Sequence, residues 1–378
     1  MIQLEIRSVK KRRDRRLFLS FPWQVYKDDP IWVPPLIPER AKTIDPKRGA
    51  FYQRGEAELF LAWRGKLPVG TICCGEDKEA NSAGERRECL FGFFEYLEDF
   101  DVAEALVQRA VLWARKRGLE SLTGPFNLDY ENGYGVLIEG WDRPPPLLCG
   151  HSPPYYREFM ERLGFQPSRG DNLAFAARFD EDSPERRRLS RLAERLRSRG
   201  WVRIRTPDVR HLDREVETIR QLLNESLAHL PDHRPWSRSA VEALVKPLAR
   251  IADPELVLFA EVEGKTVGWF PGLPNLNEAF IHANGLRRPW DYLKLLWHLR
   301  RQPQWLCIKS VLVLPRYWRS GVALLLFDEM ARRARAKGYT WADLSLTSDD
   351  NPFTPALAER LGARLYKRYR VYRLDLVR

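Results

Sequence analysis

The chain has 378 residues, 44% of them hydrophobic and 30% charged, with a net charge of +12. That length exceeds one ordinary core and suits two domains, and no apolar run approaches the roughly 18 residues of a membrane span. The positive charge leaves a phosphorylated ligand, an anionic membrane face or nucleic acid as partners, nucleic acid being least favoured, beside the bland account of an Arg-rich solvated surface.

Cys73, Cys74, Cys89, Cys149 and Cys307 lack metal-ligand spacing. They read as reduced thiols of a cytoplasmic protein, and no metal is expected. Residues 1–16 are basic without an apolar stretch behind them, so they do not read as a secretory signal.

Residues 15–26 suit a helix with Leu17, Phe18, Phe21 and Val25 inward. A proline-rich extended piece follows, with Trp23 and Trp32 as packing anchors. Residues 58–74 (ELFLAWRGKLPVGTICC) then predict strand, turn and strand. The pattern returns at 255–269 (ELVLFAEVEGKTVGW). Gly70 and Gly268 stand 198 residues apart, as do Gly164 and Gly362, whereas Gly118 and Gly338 are 220 apart. This is an internal duplication with two compensating insertions. The linker falls at 179–188, giving domains over 1–180 and 181–378.

The insertion of the first half, 124–150, crowds Asn127, Asp129, Tyr130, Glu131 and Asn132 into one loop. It reads as a polar hairpin, or as a loop reaching across the cleft to an acceptor pocket. Residues 189–250 read as mostly helical. His229 and His233 have metal-pair spacing, but Pro231 between them favours a loop; with Trp236 they are pocket candidates. In the second half's insertion, residues 289–301 form an apolar, aromatic and basic helix. It suits a membrane surface, a channel wall or, the favoured account, packing between the domains.

Val311 to Leu314 read as a buried strand, Pro315 stops it, and a helix runs from Val322. Between them Arg316, Arg319 and Gly321 make a basic turn. The unpaired N–H groups of the helix start suit a phosphate there. The first half has Glu95 to Asp101 at this place, with four carboxylates and no glycine, where a pyrophosphate is repelled. Residues 340–346 predict a strand, Asn351 a turn, 355–361 a short helix closed by Gly362, and 363–377 closing strands.

These features resemble the GNAT acyltransferases, whose motif is Gln/Arg-x-x-Gly-x-Gly/Ala after the fourth strand. Here it reads Trp318-Arg319-Ser320-Gly321-Val322-Ala323, with Trp at the first position. Pro22-Trp23, Trp32-Val33-Pro34-Pro35, Asp350-Asn351 and Tyr369-Arg370-Val371-Tyr372 resemble a bacterial family of tandem GNAT-like proteins. Relatives of that kind, the bacterial ceramide synthases, are implied to move long acyl chains onto lipid amines.

The resemblance implies an α/β (α+β) fold of two tandem GNAT-like domains, each a mixed, mostly antiparallel sheet flanked by helices. It implies an N-acyltransferase moving an acetyl or longer acyl group directly from acyl-CoA to an amine small molecule or lipid, with the donor in the second half. Backbone N–H groups of Val311, Leu312 and Val313 would steady the oxyanion. Arg316, Trp318, Arg319, Ser320, Gly321, Val322, Ala323 and Asn351 would hold the donor. Asp349, Asp350 and Glu131 are the candidate bases. Ala358 stands where many members carry an acidic Tyr, so Tyr366 is the substitute. The alternatives are an aminoacyl-tRNA-dependent transferase and a non-catalytic acyl-CoA binder.

Overall fold

A computed structural model describes residues 3–84, 87–130, 133–179, 184–229, 235–351, 353–360 and 362–376. The first half supplies β1 (Leu4–Ser8), β2 (Gly55–Arg64), β3 (Leu67–Asp77), β4 (Glu88–Tyr96), helix α1 (Phe100–Arg115), β5 (Ser121–Gly124), β6 (Val136–Glu139), α2 (Tyr155–Arg162), β7 (Gln166–Pro167) and β8 (Asn172–Arg178). Helix α3 (Pro184–Arg197) joins the halves. The second half follows with β9 (Arg203–Arg205), α4 (Leu212–Leu227), α5 (Arg238–Ala249), β10 (Val257–Val262), β11 (Lys265–Pro274), α6 (Pro289–Leu299), β12 (Trp305–Ile308) and β13 (Leu312–Val313). It closes with α7 (Val322–Ala336), β14 (Trp341–Ser348), α8 (Phe353–Arg360), β15 (Arg364–Arg370) and β16 (Tyr372–Asp375).

Two sheets result. One has the order β1-β2-β3-β4-β5-β16-β7, the other β6-β15-β8-β14-β12-β11-β10-β9, with β13 also on β11. Each holds one parallel pair, β4 with β5 and β12 with β14; the rest are antiparallel. The closing strands are exchanged. The last strand of the chain, β16, pairs with β5 and β7 of the first half. In return β8 lies between β14 and β15 of the second. Strand β6 crosses too, pairing with β15.

The cores follow from the apolar patterns. Helix α1 buries Val102, Leu106, Ala110 and Trp113, three or four residues apart, against the first sheet. Helix α7 buries Val322, Leu326, Met330 and Ala334 against the second. Tyr372 is fully buried in the first core although it lies near the end of the chain.

Three expectations need correction. The helix over 15–26 is two pieces, Arg12–Ser20 and Pro22–Val25, because Pro22 starts a new helix at a first-turn position. The strand over 311–314 contracts to Leu312–Val313. Helix α6 is not packed between the halves; Asp291 is its one buried residue.

Candidate active site

Strands β12 and β14 run parallel through the Cys307–Asp343 pair, and no pairing joins them beyond it. Opposite β11, Gly272 faces Ile308 and Trp269 faces Leu312. Three residues, Lys309 to Val311, therefore oppose two, Phe270 and Pro271: a one-residue bulge. Such a bulge leaves one residue of the strand without a ladder partner. Beside the gap lies a chamber of about 400 Å³, walled by Ile308, Ala342 and Leu344 of the sheet, Leu324 and Phe327 of α7, and Leu189 of α3. Arg186, Arg187, Arg191 and Arg335 gather in a neighbouring recess.

At the start of α7, Gly321 takes φ +93°, a left-handed conformation that favours glycine, and no side chain caps the helix. Arg316 and Arg319 are exposed beside it. Ser320 Oγ donates to Tyr317 O at 2.6 Å. Trp318 does structural work: its Nε1 donates to Val313 O at 2.8 Å, and its ring meets His229 edge-on at 5.0 Å. The turn is also partly covered. A Cβ on Gly321 would lie 2.6 Å from Leu196 Cδ1 of α3. Arg197 pairs with Asp328 at 2.5 Å, so α3 runs along α7 in the opposite direction.

Side chains alternate across a strand, so Cys307, Lys309 and Asp343 face away from the chamber. There Tyr366 donates its hydroxyl to Asp343 Oδ2 at 2.8 Å, and Ser345 N donates to Oδ1 at 3.1 Å. Asp343 is fully buried, which raises its pKa, while Lys309 opposes the rise. Burial likewise pushes the Tyr366 hydroxyl up. Residues 144–149 of the first half roof this group. Lys309 Nζ donates to Leu147 O, and Leu147 packs with Cys307 and Leu273. Lys367 donates to Gly140 O and Arg143 O, and burial brings its pKa down to about 8. The insertion over 124–150 thus reaches the second sheet.

The other candidates lie at the far end of β14. Asp349 stands 3.5 Å from Arg368, and Asp350 accepts from Gly170 N at 2.7 Å. Asn351 Nδ2 donates to Thr354 Oγ1 at 3.0 Å, ahead of α8. Ala358 is buried among Leu173, Phe175 and Ala363. Glu131 and His233 fall outside the described residues. Sequence reasoning missed Asp343, whose one signal was a lone carboxylate in the apolar run 340–346.

The first half has a matching bulge, where Phe93 and Phe94 oppose Ile72. Its gap is closed. Phe126 N donates to Phe91 O at 2.6 Å, and Phe93 N donates to Asn127 Oδ1 at 2.7 Å. Glu95, expected in an acidic turn, instead belongs to β4 and is half-buried. Tyr156 and Tyr26 place their hydroxyls 2.9 and 3.0 Å from its Oε2. Burial pushes its pKa up to about 7, against the pull of the tyrosines and Arg40.

A mixed sheet with one parallel pair that parts over a bulge, beside a glycine turn opening a helix, defines a GNAT-type acyltransferase. The Acetyltransferase (GNAT) family model matches residues 216–363. The chain is 31% identical to the "Bacterial ceramide synthase" of Caulobacter vibrioides, over 98% of this chain and 97% of that protein. It is 27% identical to "Protein YghO" of Escherichia coli, over 97% and 94%. A tandem GNAT protein from the clavulanic acid biosynthesis pathway shares the fold with a TM-score of 0.57 at 11% identity, over 99% and 98% of the two chains. A GCN5-related N-acetyltransferase from Sphaerobacter thermophilus gives 0.51 at 16%, over 98% and 95%. The chain belongs to the GNAT acetyltransferase family, as a tandem GNAT-like bacterial member and an N-acyltransferase.

Proposed function

We propose that the second half binds acyl-CoA and transfers its acyl group to the amine of a long-chain lipid. The observation that carries this reading is the chamber beside the gap between β12 and β14, with the buried Asp343–Tyr366 pair on the opposite face. The apolar lining suits the pantetheine arm or an acyl chain. The first half, whose gap is closed by Asn127, serves as scaffold and roof.

Support for a lipid amine comes from the relative named ceramide synthase, a ceramide being an N-acylated long-chain amino alcohol. The five free cysteines suit a reducing, cytoplasmic compartment.

The thioester carbonyl sits at the bulge, where the backbone N–H of Ser310 or Val311 steadies the oxyanion, that of Lys309 being bonded to Pro271 O. The amine nitrogen bonds to the carbonyl carbon and gives a proton to Asp343. The carbon–sulfur bond breaks, and Tyr366 protonates the leaving thiolate. The phenolate then recovers its proton from Asp343. Asp349, Asp350 and Glu131 remain the competing bases. Phosphate groups bind the turn from Arg316 to Ala323, once Leu196 gives way.

Thiol release from acetyl- and palmitoyl-CoA, with and without a long-chain amino alcohol, tests the reading. Amine-dependent release that prefers palmitoyl-CoA is expected. Calorimetry showing no binding of either donor would overturn it.

A further inference from the structure

Helix α6 buries nothing but Asp291, yet most of it is apolar. Trp290, Tyr292, Leu293, Leu296, Trp297 and Leu299 are all large and exposed, Leu293 at 69%. Buried packing is the usual fate of such side chains, and a cluster of them in water marks a contact surface.

The helix is held firmly in this exposed position. Asp291 accepts from Arg288 N at 2.9 Å, closing the first turn. Asn284 is within 3.4 Å of Asp291 and accepts from Trp23 Nε1 at 2.8 Å. Trp23 in turn packs on Gly285 and meets Trp32 edge-on at 5.1 Å. The exposed face is therefore presented by a built foundation.

Its charge is one-sided. From 287 to 301 the cations are Arg287, Arg288, Lys294, Arg300 and Arg301, and the single acid is the buried Asp291. Arginines also lie over the tryptophans, Arg301 at 3.7 Å from the Trp297 ring and Arg288 at 5.4 Å from Trp290. Aromatic rings with cations at their edges fit the boundary between lipid headgroups and acyl chains. Eleven residues make a helix about 16 Å long, and among the described residues no helix is long and apolar enough to cross a membrane.

We infer that α6 is an interfacial anchor that lies flat on an anionic phospholipid bilayer. The inference deepens the lipid-amine reading and rests on it for its purpose. The segment leading into α6 also carries Asn277, whose Nδ2 donates to Pro145 O and Pro146 O at 3.0 Å in the roof over Asp343. Seating the helix on a bilayer brings that roof near the source of a lipid amine.

Vesicle sedimentation with the full chain tests the anchor. The probes are phosphatidylglycerol–phosphatidylcholine vesicles and phosphatidylcholine alone, without donor or acceptor, so failure of the acyl-CoA reading leaves the result intact. The native chain should prefer the anionic vesicles. Leu293→Glu with Leu296→Glu should weaken binding at least about tenfold, and neutralising Arg287, Arg288, Arg300 and Arg301 should remove the preference for anionic lipid. Both sets are exposed, and circular dichroism should match the native chain. Thiol release with a short, water-soluble amine should be retained. No vesicle binding by the native chain, or equal binding by the glutamate variant, overturns the inference. So does a native dimer that the glutamates split and that ignores vesicles, since the face then belongs to a second copy.

Discussion

Tyr366 reaches Asp343 across an intervening strand. The two residues belong to β15 and β14, and β8 of the other half runs between them. Asp343 and Arg364 both pair with Ala176, and Lys367 pairs with Ala174. Only a strand with small side chains on this face leaves room for a tyrosine to lie over it. The pair therefore depends on the exchange of strands.

Replacing that tyrosine tests its chemistry. Tyr366→Phe should lower kcat for thiol release about a hundredfold, the ordinary range for a lost proton donor, with KM nearly unchanged. Asp343→Asn should do the same and also shift the pH profile. A kcat within about twofold of native would remove both residues from the proton path.

Glu95 gives a pH signature. Its folded pKa of about 7 lies above the ordinary 4.5. Between those values the unfolded chain has lost the proton that the folded chain keeps. Stability from this group is thus complete below the lower value and declines as pH rises toward 7, by about 3 kcal/mol in all. Urea melts from pH 4 to 8 should show that decline in the native chain and a flatter profile in Glu95→Gln. Parallel profiles would mean that the carboxyl titrates normally.

The turn before α7 should be sensitive in two directions. Gly321→Asp combines a left-handed backbone with a carboxylate aimed at phosphate, so calorimetry should show at least about a tenfold loss of acyl-CoA affinity. Leu196→Ala clears the same turn and should tighten binding. Unchanged affinity in the alanine variant would show that α3 is no obstacle to the donor.

The two halves should fail to fold apart. Residues 1–180 lack β16, and residues 181–378 lack β6 and β8. Separately expressed halves should be insoluble, and the whole chain should give one calorimetric transition. Tyr372→Ala, at a fully buried site, should cost about 3–5 kcal/mol and lower that single transition. Two resolved transitions would show independent halves.

Much of this architecture was legible because duplication writes itself twice. The repeated Glu-Leu strand and the recurrent Leu-Gly end of a short helix place β2 beside β10 and α2 beside α8 in kind. The glycine turn at 321 and the helix after it were also plain. The exchange was not. β8 and β16 have the same apolar alternation whether they close their own sheet or the other one, and pairing partners are a matter of three dimensions. Asp343 was hidden for a similar reason, since a carboxylate in a strand declares itself only through the Tyr366 that meets it. Trp318 departed from the motif because it braces Val313. Glu95 looked like surface acid, and only the structure shows the Tyr26 and Tyr156 hydroxyls that meet it.

The placement of β16 also governs the order of events at the ribosome. Domains ordinarily fold as they emerge, the N-terminal one first. Here the first sheet lacks the strand between β5 and β7 until Tyr372–Asp375 is synthesised, after every strand of the second sheet. Through that interval two strand edges stand open to foreign pairing. The nascent chain thus needs shelter, and a product terminated before β16 leaves the first sheet incomplete.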